Sequence, residues 1–181
     1  MNTVIKSSNA VTTSGLNSLA LSETPVVGTR AHIQKKLVRL LRVAYSSEMG
    51  AALAYRGHAE AVSDAFEKEM LRRIEAEEWL HRTAVGRILQ ELGSRPSEFR
   101  EALFSLVGNL LLRLAPYSGW YMPMFVAGKM EAMNVGEYTR MQSWASQLGL
   151  HSMADEFQQM AVVERGHQAF FQERLRSRAR H

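Results

Sequence analysis

The stretch VERGH, Val163–His167, sets a glutamate and a histidine three residues apart within a run of helical pattern. Residues at i and i+3 on a helix lie side by side on one face. A carboxylate and an imidazole placed this way either face water or face inward, where each needs a partner. The stretch has a twin. EEWLH, Glu77–His81, carries Glu78 and His81 at the same spacing.

Working outward from these two motifs, the chain from Arg30 onward reads as helix, with glycine and proline gathered at a few breaks. A first helix spans Ala31 to Val62, with Leu37, Leu40, Leu41, Ala44, Leu53 and Ala54 at helical spacing. Ser63 and Asp64 offer a cap for a second helix, which stops at Gly93. A shorter third helix follows Ser97 and is broken between Pro116 and Gly119. A long segment from Trp120 to Leu148, a turn at LGLHS, and a last helix from Ser152 to Arg176 complete the chain. The expected fold is all-α: two antiparallel helical hairpins forming a four-helix bundle over residues 30–178, joined by an apolar crossover over 94–119. Residues 1–29, rich in Ser, Thr and Asn, read as a flexible arm without the features of a signal or transit peptide.

In an antiparallel hairpin, residues equally far from the turn sit at the same height. Reflecting Glu78 through the turn near Ser63 lands on Glu48, in the small, apolar stretch YSSEMGAALAY. Reflecting Glu164 through the turn near Gly149 and Leu150 lands on Glu137, in MNVGEYTRM. Glu131 is a rival on that helix, on a different face, and the reflection prefers Glu137. The expected set is therefore Glu48, Glu78, His81, Glu137, Glu164 and His167. Four carboxylates and two imidazoles inside a bundle form the ligand set of a dinuclear iron or manganese centre. Carboxylates are hard donors that bridge two cations, and one imidazole anchors each ion. Glu60, Glu67, Glu69, Glu75 and Glu77 read as solvated, and His58 and His151 as surface residues. The two aspartates, Asp64 and Asp155, lie near the turns, too far away to orient a ligating histidine. Tyr55 and Tyr138 stand near the ligands as core residues, hydrogen-bonding groups or radical sites.

Composition narrows the chemistry. With no cysteine among 181 residues, disulfides, thiolate metal sites, iron–sulfur clusters and a thiol nucleophile are excluded. The formal charge of +4 is concentrated in the tail RLRSRARH, and no nucleic-acid-binding motif accompanies it. The apolar run over 102–128 is interrupted by Asn109, Arg113 and two prolines, too broken to span a bilayer. With Tyr117, Trp120 and Tyr121 nearby, it reads as a surface packed on the bundle or a second copy, a substrate channel, or a peripheral membrane contact.

SEMGAALAYRGH, with Glu48, Gly50, Ala51 and Tyr55, is similar to the first helix of the demethoxyubiquinone hydroxylase family. GEYTRM and VERGHQAFF look more like the rubrerythrins. Over residues 30–175 the chain resembles the ferritin-like di-iron carboxylate superfamily, although it lacks the four-cysteine iron domain that rubrerythrins often carry. The resemblance implies two iron ions (or manganese), bridged by Glu78 and Glu164, with Glu48 and Glu137 terminal and one histidine per metal. It implies an oxidoreductase that activates dioxygen or peroxide. Two readings follow. One is a monooxygenase acting on an apolar, quinone-like molecule with electrons from a separate donor. The alternative is a ferroxidase or peroxide scavenger of rubrerythrin type. The setting expected for either is cytoplasmic or peripheral to a membrane, in a homo-oligomer. A metal-free helical interaction module is a third, remoter reading.

Overall fold

The computed structural model describes residues 27–180, and five α-helices account for most of them. They are α1 (Val27–Ala61), α2 (Ala65–Glu91), α3 (Glu98–Leu114), α4 (Tyr121–Gln147) and α5 (His151–Arg178), with a 3-10 turn at Ala115–Tyr117 before α4. The expected arm lies outside the described residues as far as residue 26, and α1 starts four residues earlier than the periodicity suggested. Asp64 caps α2 as its sequence position predicted, accepting a hydrogen bond from the Glu67 amide at 2.8 Å. Gly149, at φ +77°, ends the α4–α5 hairpin in the left-handed conformation that glycine adopts without strain.

α1 pairs with α2, and α4 with α5; α1 also faces α4, so the two hairpins close into a bundle. The core is divided. Leu37, Leu41, Val85, Ile88, Met141 and Phe157 belong to one buried apolar cluster, and Leu71, Ile74, Met124 and Phe171 to another. Along each of the four long helices the polar candidates fall between these clusters. The sequence thus places a polar layer between two greasy ones.

α3 lies along α1. Its start is held by Glu101, which is bonded to Arg82 and accepts from Ser46 at 2.6 Å, while the Arg82 guanidinium stacks 3.8 Å over the Tyr45 ring. Its middle sits close because Gly57 has no side chain: a Cβ there would lie 2.6 Å from both Cα and the carbonyl oxygen of Leu112. The far end of the crossover is tied by Glu67. This carboxylate, expected in solvent, is buried and accepts from Trp120 Nε1 at 2.8 Å and Arg174 Nε at 2.8 Å. A buried carboxylate needs such charged and N–H partners to offset its lost hydration.

His58, also expected on the surface, is buried. Burial drives its pKa down to about 4, against the opposing pull of the Glu67 carboxylate.

Two predictions follow from the packing. Gly57→Ala should cost about 1–3 kcal/mol, because backbone of α3 must move. Gly136→Ala, where nothing lies within 4 Å, should gain about 0.5–1 kcal/mol. Denaturant unfolding of both variants checks this, and equal effects would contradict the close α1–α3 approach. The second concerns acid. At pH 7 His58 is neutral in the folded chain and mostly neutral in the unfolded one. Below the ordinary imidazole value, about 6.5, the unfolded chain takes up a proton that the folded one refuses until about pH 4. Stability is therefore lost as pH falls through this window, by up to about 3 kcal/mol. The thermal midpoint of the native protein should fall more steeply between pH 6.5 and 4.5 than that of His58→Gln.

Candidate metal centre

Six side chains from four helices meet in the polar layer. Glu48 comes from α1, Glu78 and His81 from α2, Glu131 from α4, and Glu164 and His167 from α5; all six are buried. They form two overlapping groups. Glu48, Glu78, His81 and Glu164 bring ligand-type atoms within 4.8 Å of one another, and so do Glu78, Glu131, Glu164 and His167. Glu78 and Glu164 belong to both groups. Each remaining pair, Glu48 with His81 and Glu131 with His167, belongs to one.

Five of the six residues expected from the sequence are here. Glu137 is not. Its carboxylate stands off the cluster, partly exposed, 3.9 Å from Arg140. Glu131 takes its place. The buried face of α4 runs through Met124, Ala127, Gly128, Glu131, Tyr138, Met141 and Ala145. Glu131 lies on this stripe, whereas Glu137, six residues on, is turned about 240° around the axis. Reflection through a turn fixes height only to within a helical turn; the face decides between candidates.

A second signal also selects Glu131. Tyr55 stands seven residues after Glu48, and Tyr138 seven after Glu131. Each tyrosine donates to the glutamate of the opposite helix, Tyr55 to Glu131 and Tyr138 to Glu48. The cluster thus has approximate two-fold symmetry. Burial and the facing carboxylates push both phenols well above their ordinary pKa, so they are donors at neutral pH. Asn134 adds a longer contact, 3.5 Å, to Glu164 Oε2.

The histidines present Nδ1 inward. His81 Nδ1 lies 3.0 Å from Glu164 Oε1, and His167 Nδ1 lies 3.4 Å from Glu78 Oε1 and 3.6 Å from Glu164 Oε2. His167 Nε2 points the other way and meets Glu77 Oε2 at 2.7 Å. Glu77 was expected in water, yet it supplies the carboxylate behind a ligand-type histidine. It lies one residue before Glu78, on the neighbouring helix to His167, so no spacing within one motif reveals it.

Electrostatically the cluster is unsettled. Burial raises the carboxyls of Glu48 and Glu78, and raises Glu131 to about 8. Burial also pushes on Glu164, but the close approach of Glu131, His167 and His81 to its carboxylate holds it well below the ordinary range. The surrounding carboxylates overcome burial at His167 and raise it far above an ordinary imidazole. Even so, Glu48 Oε2, both Glu78 oxygens, Glu131 Oε2, Glu164 Oε1 and Nδ1 of both histidines are buried without a hydrogen-bond partner. Seven such atoms converging on one point fit a ligand that bonds them all, and hard oxygen donors with imidazoles suit a divalent transition metal.

Beside the cluster lies an apolar cavity of about 270 Å³ between α1, α3 and α4, lined by Ala51, Tyr55, Phe104, Leu111, Val126 and Met130 among others. Tyr55 belongs to both, lining the cavity and donating to Glu131. Leu106, Leu110, Tyr117, Tyr121 and Phe125 leave an exposed apolar surface on the same side. Among the described residues no helix is long and apolar enough to cross a membrane.

Comparison with known proteins agrees with this geometry. The family model described as ubiquinone biosynthesis protein COQ7 matches residues 35–133. That span contains Glu48, Glu78, His81 and Glu131 and ends before Glu164 and His167, which the fold brings back to the same point. A 3-demethoxyubiquinol 3-hydroxylase of Francisella tularensis subsp. tularensis (strain WY96-3418) is 40% identical over 77 residues, covering 42% of this chain and 36% of that protein. The corresponding hydroxylase of Francisella tularensis subsp. novicida (strain U112) is 39% identical over 77 residues, with the same coverage. The chain thus aligns with little more than a third of the length of these relatives. No solved structure matches it significantly. With more than half of its length matched and four of the six clustered residues inside the match, the chain belongs to the COQ7 family.

Proposed function

We propose that this chain binds two iron ions through Glu48, Glu78, His81, Glu131, Glu164 and His167, and hydroxylates an apolar quinol-type substrate. The observation that carries the proposal is the set of seven buried, unpartnered oxygen and nitrogen atoms from four helices. The two overlapping groups suit two ions, with Glu78 and Glu164 shared between them. When bound, the metals would supply reductive activation of dioxygen: one oxygen atom enters a substrate C–H bond, and the other leaves as water with two electrons and two protons from a separate donor.

The protein's own residues perform the remaining tasks. The cavity holds an apolar ring and excludes water from the cluster. Tyr55 separates the two spaces and fixes the orientation of Glu131 through its hydrogen bond. Tyr138 does the same for Glu48. The relatives' name, 3-demethoxyubiquinol 3-hydroxylase, supports a quinol as the substrate class. A ferroxidase or peroxide scavenger would have no use for the cavity, which favours the hydroxylase reading. The exposed apolar surface on α3, the 3-10 turn and the start of α4 suits contact with a membrane that dissolves such a substrate.

Two measurements test this. Metal analysis should find two iron ions per chain in the native protein and none in Glu164→Ala, with far-UV circular dichroism unchanged; two ions still bound by the variant would refute the ligand set. Flotation with liposomes should show binding that survives high salt, and Leu110→Glu with Phe125→Glu should reduce it at least tenfold. Equal flotation of both proteins would remove the membrane contact from the proposal.

A further inference from the structure

We infer that the two metal positions are unequal, the one at Glu131 and His167 being the tighter, and that Glu77 is the positioning residue that makes it so. The inference rests on the metal-binding reading above. Its basis is a comparison of two halves that otherwise match. Both share Glu78 and Glu164. Each has one further glutamate that accepts from a tyrosine hydroxyl of the opposite helix. Each has one histidine with Nδ1 inward and unpartnered. They part company behind the histidine.

His167 Nε2 meets Glu77 Oε2 at 2.7 Å. Glu77 is held in turn by Arg73, whose Nε donates to Oε1 at 3.0 Å. The approximate two-fold relates Glu78 to Glu164, and therefore Glu77 to Val163, the residue before Glu164. Valine has no acceptor. Among the described residues, the one carboxylate within 4.0 Å of His81 is Glu164, and it lies on the inward side, at Nδ1. The difference between EEWLH and VERGH at their first residue thus becomes a difference between two metal positions.

A carboxylate behind a ligating imidazole fixes its tautomer, holds the ring in place and makes the inward nitrogen more basic. Such a partner typically changes metal affinity by about 10–100-fold. His167 arrives with its ring held and Nε2–H committed to Glu77, so that a metal has only the Nδ1 proton to displace. His81 must settle its tautomer and ring angle as the metal binds. Loading is therefore sequential, and low metal supply leaves a singly loaded protein.

The test is anaerobic titration of the full chain with Co(II), followed by calorimetry and visible absorption. Native protein should bind in two resolved steps. Glu77→Gln should weaken the tighter step by about 10–100-fold and leave the weaker one unchanged, merging the two. Val163→Glu should instead tighten the weaker step. Glu131→Gln should remove the tighter step and Glu48→Gln the weaker, which assigns them. Thermal unfolding of each metal-free variant keeps a folding defect from passing as a binding effect. Two ions bound in the native protein with equal constants, or Glu77→Gln leaving both steps as they were, would overturn the inference while the proposed function stands. Failure of native protein to bind Co(II) at all would overturn both.

Discussion

Four buried glutamates in one layer are the constraint on which the rest of this structure turns. Moving one carboxylate from water into a protein interior costs several kcal/mol even after relaxation. Four facing one another also repel. The layer meets this demand with charge of opposite sign, and two sources are available to it. Protons are one: Glu48, Glu78 and Glu131 have raised pKa values, while Glu164 keeps its charge opposite a protonated His167. Divalent cations are the other, and they would displace those protons on binding. Protons alone leave seven polar atoms without partners. The metal-free fold therefore carries an unmet demand, and the apolar clusters on either side of the layer must hold the helices together in spite of it.

The same constraint explains the symmetry. A bundle of two hairpins can bring two glutamates and two Glu-x-x-His pairs to one height only if each hairpin contributes the same pattern. The tyrosines make the pattern explicit. Glu48 with Tyr55 and Glu131 with Tyr138 repeat one spacing on antiparallel helices, and each hydroxyl crosses to the other helix's carboxylate. These cross-links tie α1 to α4 within the polar layer, between the two apolar clusters that both helices also share. Where the repeat fails, at Glu77 against Val163, the departure is local and chemical, and the helical framework is untouched.

Much of this was legible in the sequence because caps and turns are local. Asp64, Gly93 and Gly149 end or begin helices through their own backbone and side-chain geometry, so helix count, order and pairing could be read directly. Four of the six clustered residues are the two Glu-x-x-His motifs themselves, and Glu48 followed from reflecting one of them through its turn. Glu137 was chosen over Glu131 on height: the two were seen to lie on different faces, but which face is buried was not decided, although the spacing of seven to Tyr138 was present in the sequence. Glu67, Glu77 and His58 were misread for a different reason. Each is engaged by residues distant in the chain: Glu67 is buried by Trp120 and Arg174, Glu77 is half-buried against His167, and His58 is buried on the side of α1 that meets the crossover. Charged residues on helices are exposed more often than not, and only tertiary packing identifies the exceptions.

The crossover shows how a single helix can serve both fold and chemistry. α3 must travel the length of the bundle to connect parallel-running ends of the two hairpins, so it needs one face for α1. Gly57 lets that face approach to backbone contact at Leu112. Close approach there, with bulkier Phe104, Leu111 and Val126 beside it, leaves the cavity between α1, α3 and α4 instead of a filled core. The outer face of α3 remains apolar: Leu103, Leu106 and Leu110 are exposed. A helix needed only as a connector would be selected for polar residues on that face, since exposed leucines there add nothing to a monomer's stability and promote association. Their place beside a cavity that borders Tyr55, and through it Glu131, suits the proposed entry of an apolar substrate from that surface.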